Sequence, residues 1–250
     1  MFTKVIIIGS GNIGTWLLQT LQNQKGFSVI SVSSRKIETL PQDGDLYIFA
    51  LKDDVYETVL QQISFKMPRA VHTSGALSQS ILVPFAKKVG VMYPYQSVRC
   101  EVESVRQKAE GRRQKGERWK EKVPVCVEGS DKEFEDTLFQ WAKRMFEDVY
   151  KINEQQRFAM HLAAVFANNF TNAMYGVAYQ IFKENNIDWS LIFPLLNSTL
   201  EKAKHNDPAL VQTGPALRHD VSVMEKHCKA LRSEDLRMVY RGISRVILKG

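Results

Sequence analysis

The amino-acid sequence predicts an α/β protein in which a parallel sheet, built by the first half of the chain, is followed by helices alone. Three observations support this prediction. Short apolar runs alternate with amphipathic stretches up to about residue 152, the strand signals stop beyond that point, and a glycine-rich turn joins the first run to the first helix. Strands that alternate with helices are typical of a parallel sheet made of βαβ units.

Apolar periodicity predicts the elements of the first half. The predicted strands cover residues 4–8, 27–33, 46–51, 70–72, 89–92 and 123–127. Predicted helices begin near residues 12 and 55, and a third follows a capping box formed by Ser130 and Glu133. The sheet therefore comes entirely from the part of the chain before residue 152.

Only helices are predicted for the second half. One long helix covers residues 153–184, and another follows an N-cap at Asp188, with a kink at Pro194. A third begins after the break at residues 213–215, and the last follows an N-cap at Ser233. We therefore predict two domains, residues 1–152 and 153–250.

Composition and length are those of an ordinary globular protein. The chain has 250 residues, of which 44% are hydrophobic and 24% are charged. No apolar run approaches the ~18 residues of a membrane helix, and no signal-peptide cleavage region is evident, so we expect a cytoplasmic protein without a membrane partner. Cys100, Cys126 and Cys228 lie far apart in the sequence, which predicts neither a disulfide framework nor a metal site.

The net charge of +7 is unevenly distributed. Residues 99–122 hold nine Lys or Arg and five Asp or Glu, a net charge of +4. Glutamates are interleaved with the basic residues, and Trp119 is the one side chain of the segment suited to base stacking. We interpret this segment as a solvated loop and do not expect a nucleic-acid partner.

A GxGxxG motif carries the main functional prediction. The residues Gly9, Ser10, Gly11, Asn12, Ile13 and Gly14 follow a predicted strand and open a predicted helix. In that context the first glycine permits a tight turn, the second lets a pyrophosphate approach the backbone, and the third lets the helix pack on the strand. The motif predicts a dinucleotide site, and a glycine-rich turn without a ligand is the alternative.

The end of the second strand indicates which dinucleotide binds. An NAD site would place an acidic residue there for the ribose hydroxyls, but this chain has Ser33, Ser34 and Arg35. Hydroxyls and a guanidinium suit a 2′-phosphate, so NADP is preferred over NAD. The alternative is that Arg35 is only a surface residue. Leu51, in the loop after the third strand, is predicted to border the cofactor.

Polar residues that follow the fourth strand are candidates for the reaction itself. His72 and Ser74 stand where parallel strands end and ligands commonly bind. Their side chains could polarise a substrate or contact the nicotinamide. Equally, they could satisfy backbone groups in a turn.

The long helix of the second half carries a polar stripe. His161, Asn168 and Asn172 fall within roughly 40° of arc at 100° per residue. Because unpaired buried polar groups cost about 1–3 kcal/mol each, these side chains need hydrogen-bond partners. The stripe therefore faces either a substrate cleft or another helix. Arg218 could bind an anionic substrate group or pair with Asp220.

The chain resembles the Rossmann-like proteins with a DUF2520 C-terminal domain, which are often described as NADP oxidoreductases. The resemblance rests on five segments in order along the chain. They are GSGNIG at 9–14, HTSGAL at 72–77, YPYQS at 93–97, HLAAVFANNFTN at 161–172 and QTGPALRHD at 212–220.

The resemblance implies a Rossmann domain and a helical domain similar to those of pyrroline-5-carboxylate reductases and 6-phosphogluconate-type dehydrogenases. Such helical domains commonly form dimers, so a homodimer is expected. Two departures bear on the chemistry: Tyr93 stands where many relatives carry histidine, and the long helix has no lysine before Lys183.

These observations lead to one main hypothesis and one alternative. The main hypothesis is an NADP-dependent oxidoreductase that transfers a hydride between nicotinamide and a C=O or C=N group of a small metabolite, which could be anionic. Ser74, His161 and Asn168 would polarise or protonate the substrate, and His72, Asn172 and Arg218 would bind it. The alternative is a dinucleotide-binding sensor without turnover, which would contact a partner through residues 99–122.

Overall fold

The structure is a computed structural model that describes residues 2–22, 24, 26, 28–97 and 123–249. The basic segment 99–122, with Cys100 and Trp119, and the first residue of the predicted second strand, Phe27, lie outside the described residues. The chain divides into two compact units, Met1–Thr171 and Asn172–Gly250. The prediction of domains divided at residues 152 and 153 stays a prediction.

The first unit is built on a seven-stranded sheet. Its strands are β1 (Lys4–Ile8), β2 (Ser28–Val32), β3 (Leu46–Phe49), β4 (Met67–His72), β5 (Ala86–Pro94), β6 (Val125–Gly129) and β7 (Val149–Lys151). Their order in the sheet is β2-β1-β3-β4-β5-β6-β7. Because β1 pairs with β2 on one side and β3 on the other, the connections from β1 leave a crevice at its carboxyl end, where α/β sheets bind ligands.

Pairing within the sheet is parallel with one exception. β5 and β6 run antiparallel, and β6 then pairs in parallel with β7. The α/β class with a largely parallel sheet is therefore confirmed. The strand β7 gives no signal in the sequence, because three residues, two of them the exposed Tyr150 and Lys151, are too few to show an apolar alternation.

Both faces of the sheet are buried. In β1, Val5 and Ile7 pack into one cluster with Leu17 of the first helix, whereas Ile6 and Ile8 pack into the other. A strand that is buried on both faces shows a continuous apolar run rather than an alternation, which accounts for the sequence of β1.

Helices of the first unit lie close to their predicted positions. They are α1 (Asn12–Gln22), α2 (Tyr56–Leu60), α3 (Lys132–Ala142) and α4 (Glu154–Ala164). One predicted cap is wrong: Asp131 rather than Ser130 caps α3, and its carboxylate accepts from the Phe134 N–H at 3.1 Å. The Asn153 cap of α4 forms a reciprocal pair with Gln156.

Beyond α4 the regular elements of the described chain are helices, with turns and irregular structure between His205 and Val221. A π-helical turn (Val165–Phe170) leads into α5 (Thr171–Glu184), and α6 (Phe193–His205), α7 (Val221–Ala230) and α8 (Glu234–Lys249) follow. Pro194 does not kink a helix, because it lies in the first turn of α6, where a missing N–H costs nothing. The helix predicted from residue 215 begins later, at Val221, and Asp220 caps it. None of the described helices has the length and hydropathy that a membrane span requires.

Candidate active site

Two glycines in the turn between β1 and α1 pack so closely against backbone atoms that neither has space for a Cβ. Gly9 has φ of +118°, and a Cβ built there would lie 2.2 Å from the Ala50 carbonyl oxygen. A Cβ at Gly14 would lie 2.0 Å from the Gly9 oxygen. The first and third glycines of the motif are therefore required by the packing of the protein itself.

The middle glycine is different. Gly11 is exposed, and, apart from its chain neighbours, no described residue would have an atom within 4 Å of a Cβ built at this position. It immediately precedes α1, whose first turn contains no acidic residue. The N-terminus of a helix presents N–H groups and a partial positive charge, which suits a phosphate. Since the protein does not need glycine here, the open position fits a pyrophosphate that approaches the backbone.

The other predicted dinucleotide contacts lie at the same edge of the sheet. Ser10 and Asn12 are exposed and Ile13 is half-buried. Leu51 follows β3, and its side chain comes within 3.3 Å of the position that a Gly9 Cβ would take. The predicted residues of the motif and Leu51 thus surround the carboxyl end of β1.

Ser33, Ser34 and Arg35 follow β2 in a 3-10 turn. The Ser33 hydroxyl accepts a hydrogen bond from the Arg35 N–H at 3.3 Å, which shapes the turn. The Arg35 side chain is exposed, and Ser34 is half-buried. This arrangement leaves a guanidinium at the end of the strand where NAD sites carry an acid.

The loop after β4 is buried and held by its own side chains. His72 Nδ1 accepts from the Ser74 N–H at 3.2 Å, and the Ser74 hydroxyl oxygen accepts from the N–H groups of Ala76 and Leu77 at 3.1 and 3.0 Å. Burial lowers the pKa of His72 from 6.5 to about 3, so the imidazole is neutral at pH 7. These contacts support the structural alternative for both side chains.

We predict that the neutral His72 makes the protein sensitive to acid. The unfolded chain takes up a proton at His72 below pH 6.5 and the folded chain does not, so stability is full above pH 6.5 and is lost as the pH falls toward 3. The loss is about 1.4 kcal/mol per pH unit. In His72→Asn the amide oxygen keeps an acceptor for Ser74 but does not titrate, so urea unfolding at pH 7 and pH 4 should show the variant losing about 3 kcal/mol less than the wild type. Equal losses in the two proteins would contradict this prediction.

His161 of α4 meets Tyr93 of β5 beside this loop. The Tyr93 hydroxyl lies 3.2 Å from His161 Nδ1. In the sheet, β4 and β5 pair His72 with Val91, so Tyr93 lies on β5 two residues beyond the partner of His72. Burial raises the pKa of Tyr93 to about 12, so its hydroxyl keeps its proton at neutral pH. His161 is only half-buried, which leaves part of its ring accessible.

Gly75 makes room for the His161 ring. A Cβ built on Gly75 would lie 2.6 Å from His161 Nδ1 and 2.7 Å from its Cγ. Any other residue at position 75 would therefore displace the imidazole from Tyr93. The sequence pattern predicts a role for His161 but assigns no catalytic role to Tyr93 and none to Gly75.

The predicted polar stripe does not have the regular α-helical spacing that the prediction requires. The π-helical turn interrupts the spacing of 100° per residue between His161 and Asn172. Asn168 lies in that turn and is exposed. Asn172 and Arg218 belong to the second unit and are exposed as well, while the Asp220 carboxylate caps α7 by accepting from the Val223 N–H. The substrate-binding roles predicted for Asn172 and Arg218 stay predictions.

Comparison with known families identifies the helical half. A model of the domain of unknown function DUF2520 matches residues 123–247, which is half of the chain. The chain belongs to the DUF2520 family. Within this DUF2520 protein the match begins just before β6 and ends in α8, so it includes Arg157, His161 and the π-helical turn.

Solved structures share the fold of this DUF2520 protein over nearly its whole length. A Bacteroides fragilis protein, named as a candidate NADP oxidoreductase, is 29% identical with a TM-score of 0.82, and the alignment covers 99% of this chain and 98% of that one. Protein TM1727 of Thermotoga maritima is 19% identical with a TM-score of 0.65, covering 98% and 97%. The 1-pyrroline-5-carboxylate reductase of Streptococcus pyogenes is 14% identical with a TM-score of 0.56, covering 98% and 96%. Among proteins of curated function there is no match.

Proposed function

We propose that the protein is an NADP-dependent oxidoreductase acting on a C=O or C=N group of a small metabolite. The observation that carries the proposal is the open Gly11 position, which lies before α1 at the crevice of the sheet. The Bacteroides fragilis relative supports the same cofactor, since it is named for NADP and aligns over nearly the whole chain.

Residues at the carboxyl edge of the sheet would hold the cofactor. The backbone of residues 9–14 and the N-terminus of α1 would bind the pyrophosphate. Arg35, with the hydroxyls of Ser33 and Ser34, would bind the 2′-phosphate. When bound, the nicotinamide supplies or accepts the hydride, while the protein orients it against the substrate.

Tyr93 and His161 would handle the proton that accompanies the hydride. With Nδ1–H donating to the Tyr93 oxygen, His161 Nε2 remains to exchange a proton with the substrate oxygen or nitrogen. Tyr93 stays neutral because its pKa is near 12, so it holds the ring orientation without competing for the proton. Asn168 would contact the substrate, whereas the Ser74 oxygen accepts two backbone N–H groups and supports the loop.

Arg35→Ala tests the cofactor assignment. A charged hydrogen bond to phosphate contributes about 1.5–3 kcal/mol, so the variant should bind NADPH roughly 10- to 100-fold more weakly than the wild type. Its affinity for NADH should not change. Lys36→Ala, which removes the neighbouring exposed charge, is the matched control. Calorimetric titration with both cofactors measures the effect, and equal NADPH affinities for Arg35→Ala and the wild type would exclude the assignment.

We further propose that the second unit pairs with a second copy of the chain. Among the described residues 172–249, only Ala216 and Ser244 are buried. Large apolar side chains are exposed instead, including Leu191 (68%), Leu195 (65%), Leu210 (84%) and Val246 (72%). Exposed apolar surface on this scale marks an interaction site. A second copy of the chain is the expected partner for this surface, because most soluble oligomers are symmetric homo-oligomers. A second copy is also always present together with the first.

Sedimentation equilibrium tests this pairing. The wild type should sediment with twice the mass of one chain at micromolar concentration. Leu195→Glu places a charge on the apolar surface and should shift the population toward monomer, whereas Lys202→Glu on the same helix, α6, should not. A monomeric wild type would contradict the proposal.

A further inference from the structure

Arg157 is a buried charge within the first unit. Its relative exposure is 0%, although it lies in the first turns of α4 among exposed polar neighbours. A buried guanidinium requires partners for its donors, because an unpaired buried charge is very costly. The partners of Arg157 therefore show what the residue holds in place.

The guanidinium joins one strand of the sheet to the loop that follows another strand. Nη1 donates to the carbonyl oxygens of Ser74 and Gly75 at 3.2 and 3.1 Å. Nε and Nη2 donate to Glu128 Oε2 on β6 at 3.4 and 3.3 Å. The other Glu128 oxygen accepts from Gln79 Nε2 at 3.2 Å. One side chain thus ties α4 to β6 and to the loop after β4.

The residues held by Arg157 are those that seat His161. His161 follows Arg157 by four residues, so the two side chains lie on the same face of α4, one turn apart. Gly75 meets both of them, since its carbonyl accepts from Arg157 and its missing Cβ leaves room for the imidazole. The loop and the helix that bring His161 to Tyr93 are thereby joined at a single residue.

We propose that Arg157 is a positioning residue, which fixes the Ser74–Gly75 backbone against α4 so that His161 meets Tyr93. This inference rests on the proposed function for its purpose, but its geometry does not depend on the cofactor. A buried ion pair is weak evidence for stability, because apolar residues of similar volume are often as stable. A role in orienting His161 accounts better for a fully buried arginine that donates to the carbonyls beside His161 and Tyr93.

The test compares Arg157→Lys and Arg157→Met with a matched control. Arg237 of the second unit also donates to two backbone carbonyls, those of Cys228 and Leu231, and pairs with Glu234. Arg237→Met therefore removes a similar set of contacts far from His161 in sequence. The readouts are the two ring-nitrogen resonances of His161 in ¹⁵N NMR and the dissociation constant of NADPH.

We expect both Arg157 variants to shift the His161 resonances toward those of a free imidazole, with a smaller shift for lysine, which can still donate to one carbonyl. Arg237→Met should leave them unchanged, and NADPH affinity should change by less than about twofold in all three. Unshifted His161 resonances in a folded Arg157 variant would overturn the inference. So would loss of the fold in both Arg157 variants, because it would assign the residue to stability alone. Failure of the wild type to bind NADPH would instead count against the proposed function.

Discussion

Gly11→Glu is expected to weaken NADPH binding at least about 100-fold while leaving the protein folded. The added carboxylate would occupy the space before α1 where the pyrophosphate is proposed to lie, and it would repel the phosphates. Beyond the adjacent residues, the described part of the chain has no atom within 4 Å of the new Cβ, so the Cβ meets no clash there. A negative charge at a helix N-terminus is itself favourable by about 0.3–1 kcal/mol. The melting temperature should therefore stay the same or rise slightly.

Gly176→Glu is the control for this prediction. Gly176 lies in α5 and is the site of the same chemical change, and outside the backbone of its own helix and its chain neighbours no described residue has an atom within 4 Å of a Cβ there. Its NADPH affinity should equal that of the wild type. If Gly11→Glu retained wild-type affinity in calorimetric titration, the pyrophosphate would not lie at this turn.

Gly14→Ala, in contrast to Gly11→Glu, is expected to cause a large loss of stability. Its Cβ would lie 2.0 Å from the Gly9 oxygen and 2.9 Å from the Gly9 carbonyl carbon, so the backbone of α1 or of the turn must move. Overpacking of a well-packed site costs typically 1–3 kcal/mol, and a clash with backbone lies at the upper end of that range. For a chain of this length, about 3 kcal/mol lowers the melting temperature by roughly 6–12 °C.

Thermal unfolding of Gly14→Ala beside Gly11→Ala measures this difference. The two substitutions lie in the same motif, one just before α1 and one within its first turn, and each adds one methyl group. Gly11→Ala should melt within a degree or two of the wild type. A Gly14→Ala protein that melted at the wild-type temperature would show that the helix does not pack against the turn as described.

The architecture of the first unit could be predicted because it depends on local patterns. The first 22 residues contain all the patterns that are needed: the apolar run of β1, the amphipathic stripe of α1 and the glycines between them. Gly9 and Gly14 are required by contacts that every turn of this kind makes. The same motif predicted the open Gly11 position, since its middle glycine is the one that lets a ligand approach the backbone and is not required for packing.

The contact between Tyr93 and His161, the proposed proton-transfer pair, could not be predicted in the same way. Tyr93 and His161 are 68 residues apart, and their contact depends on the register of β4 with β5 and on the packing of α4. Gly75 gives no turn signal, because its lack of a side chain matters only once His161 lies above it.

Two further features could not be predicted from the sequence. Arg157 stands in an apparently solvent-facing polar run, and only its buried partners distinguish it from a surface residue. The π-helical turn after α4 changes the helical phase on which the predicted stripe of Asn168 and Asn172 relied.

Titration of the wild-type protein with NADPH and with NADH tests the central claim most directly. The open Gly11 position and the exposed Arg35 together predict that both cofactors bind and that NADPH binds roughly 10- to 100-fold more tightly. Equal affinities would exclude Arg35 as the 2′-phosphate contact. If neither cofactor bound at millimolar concentration, the assignment of this edge of the sheet to a dinucleotide would be contradicted.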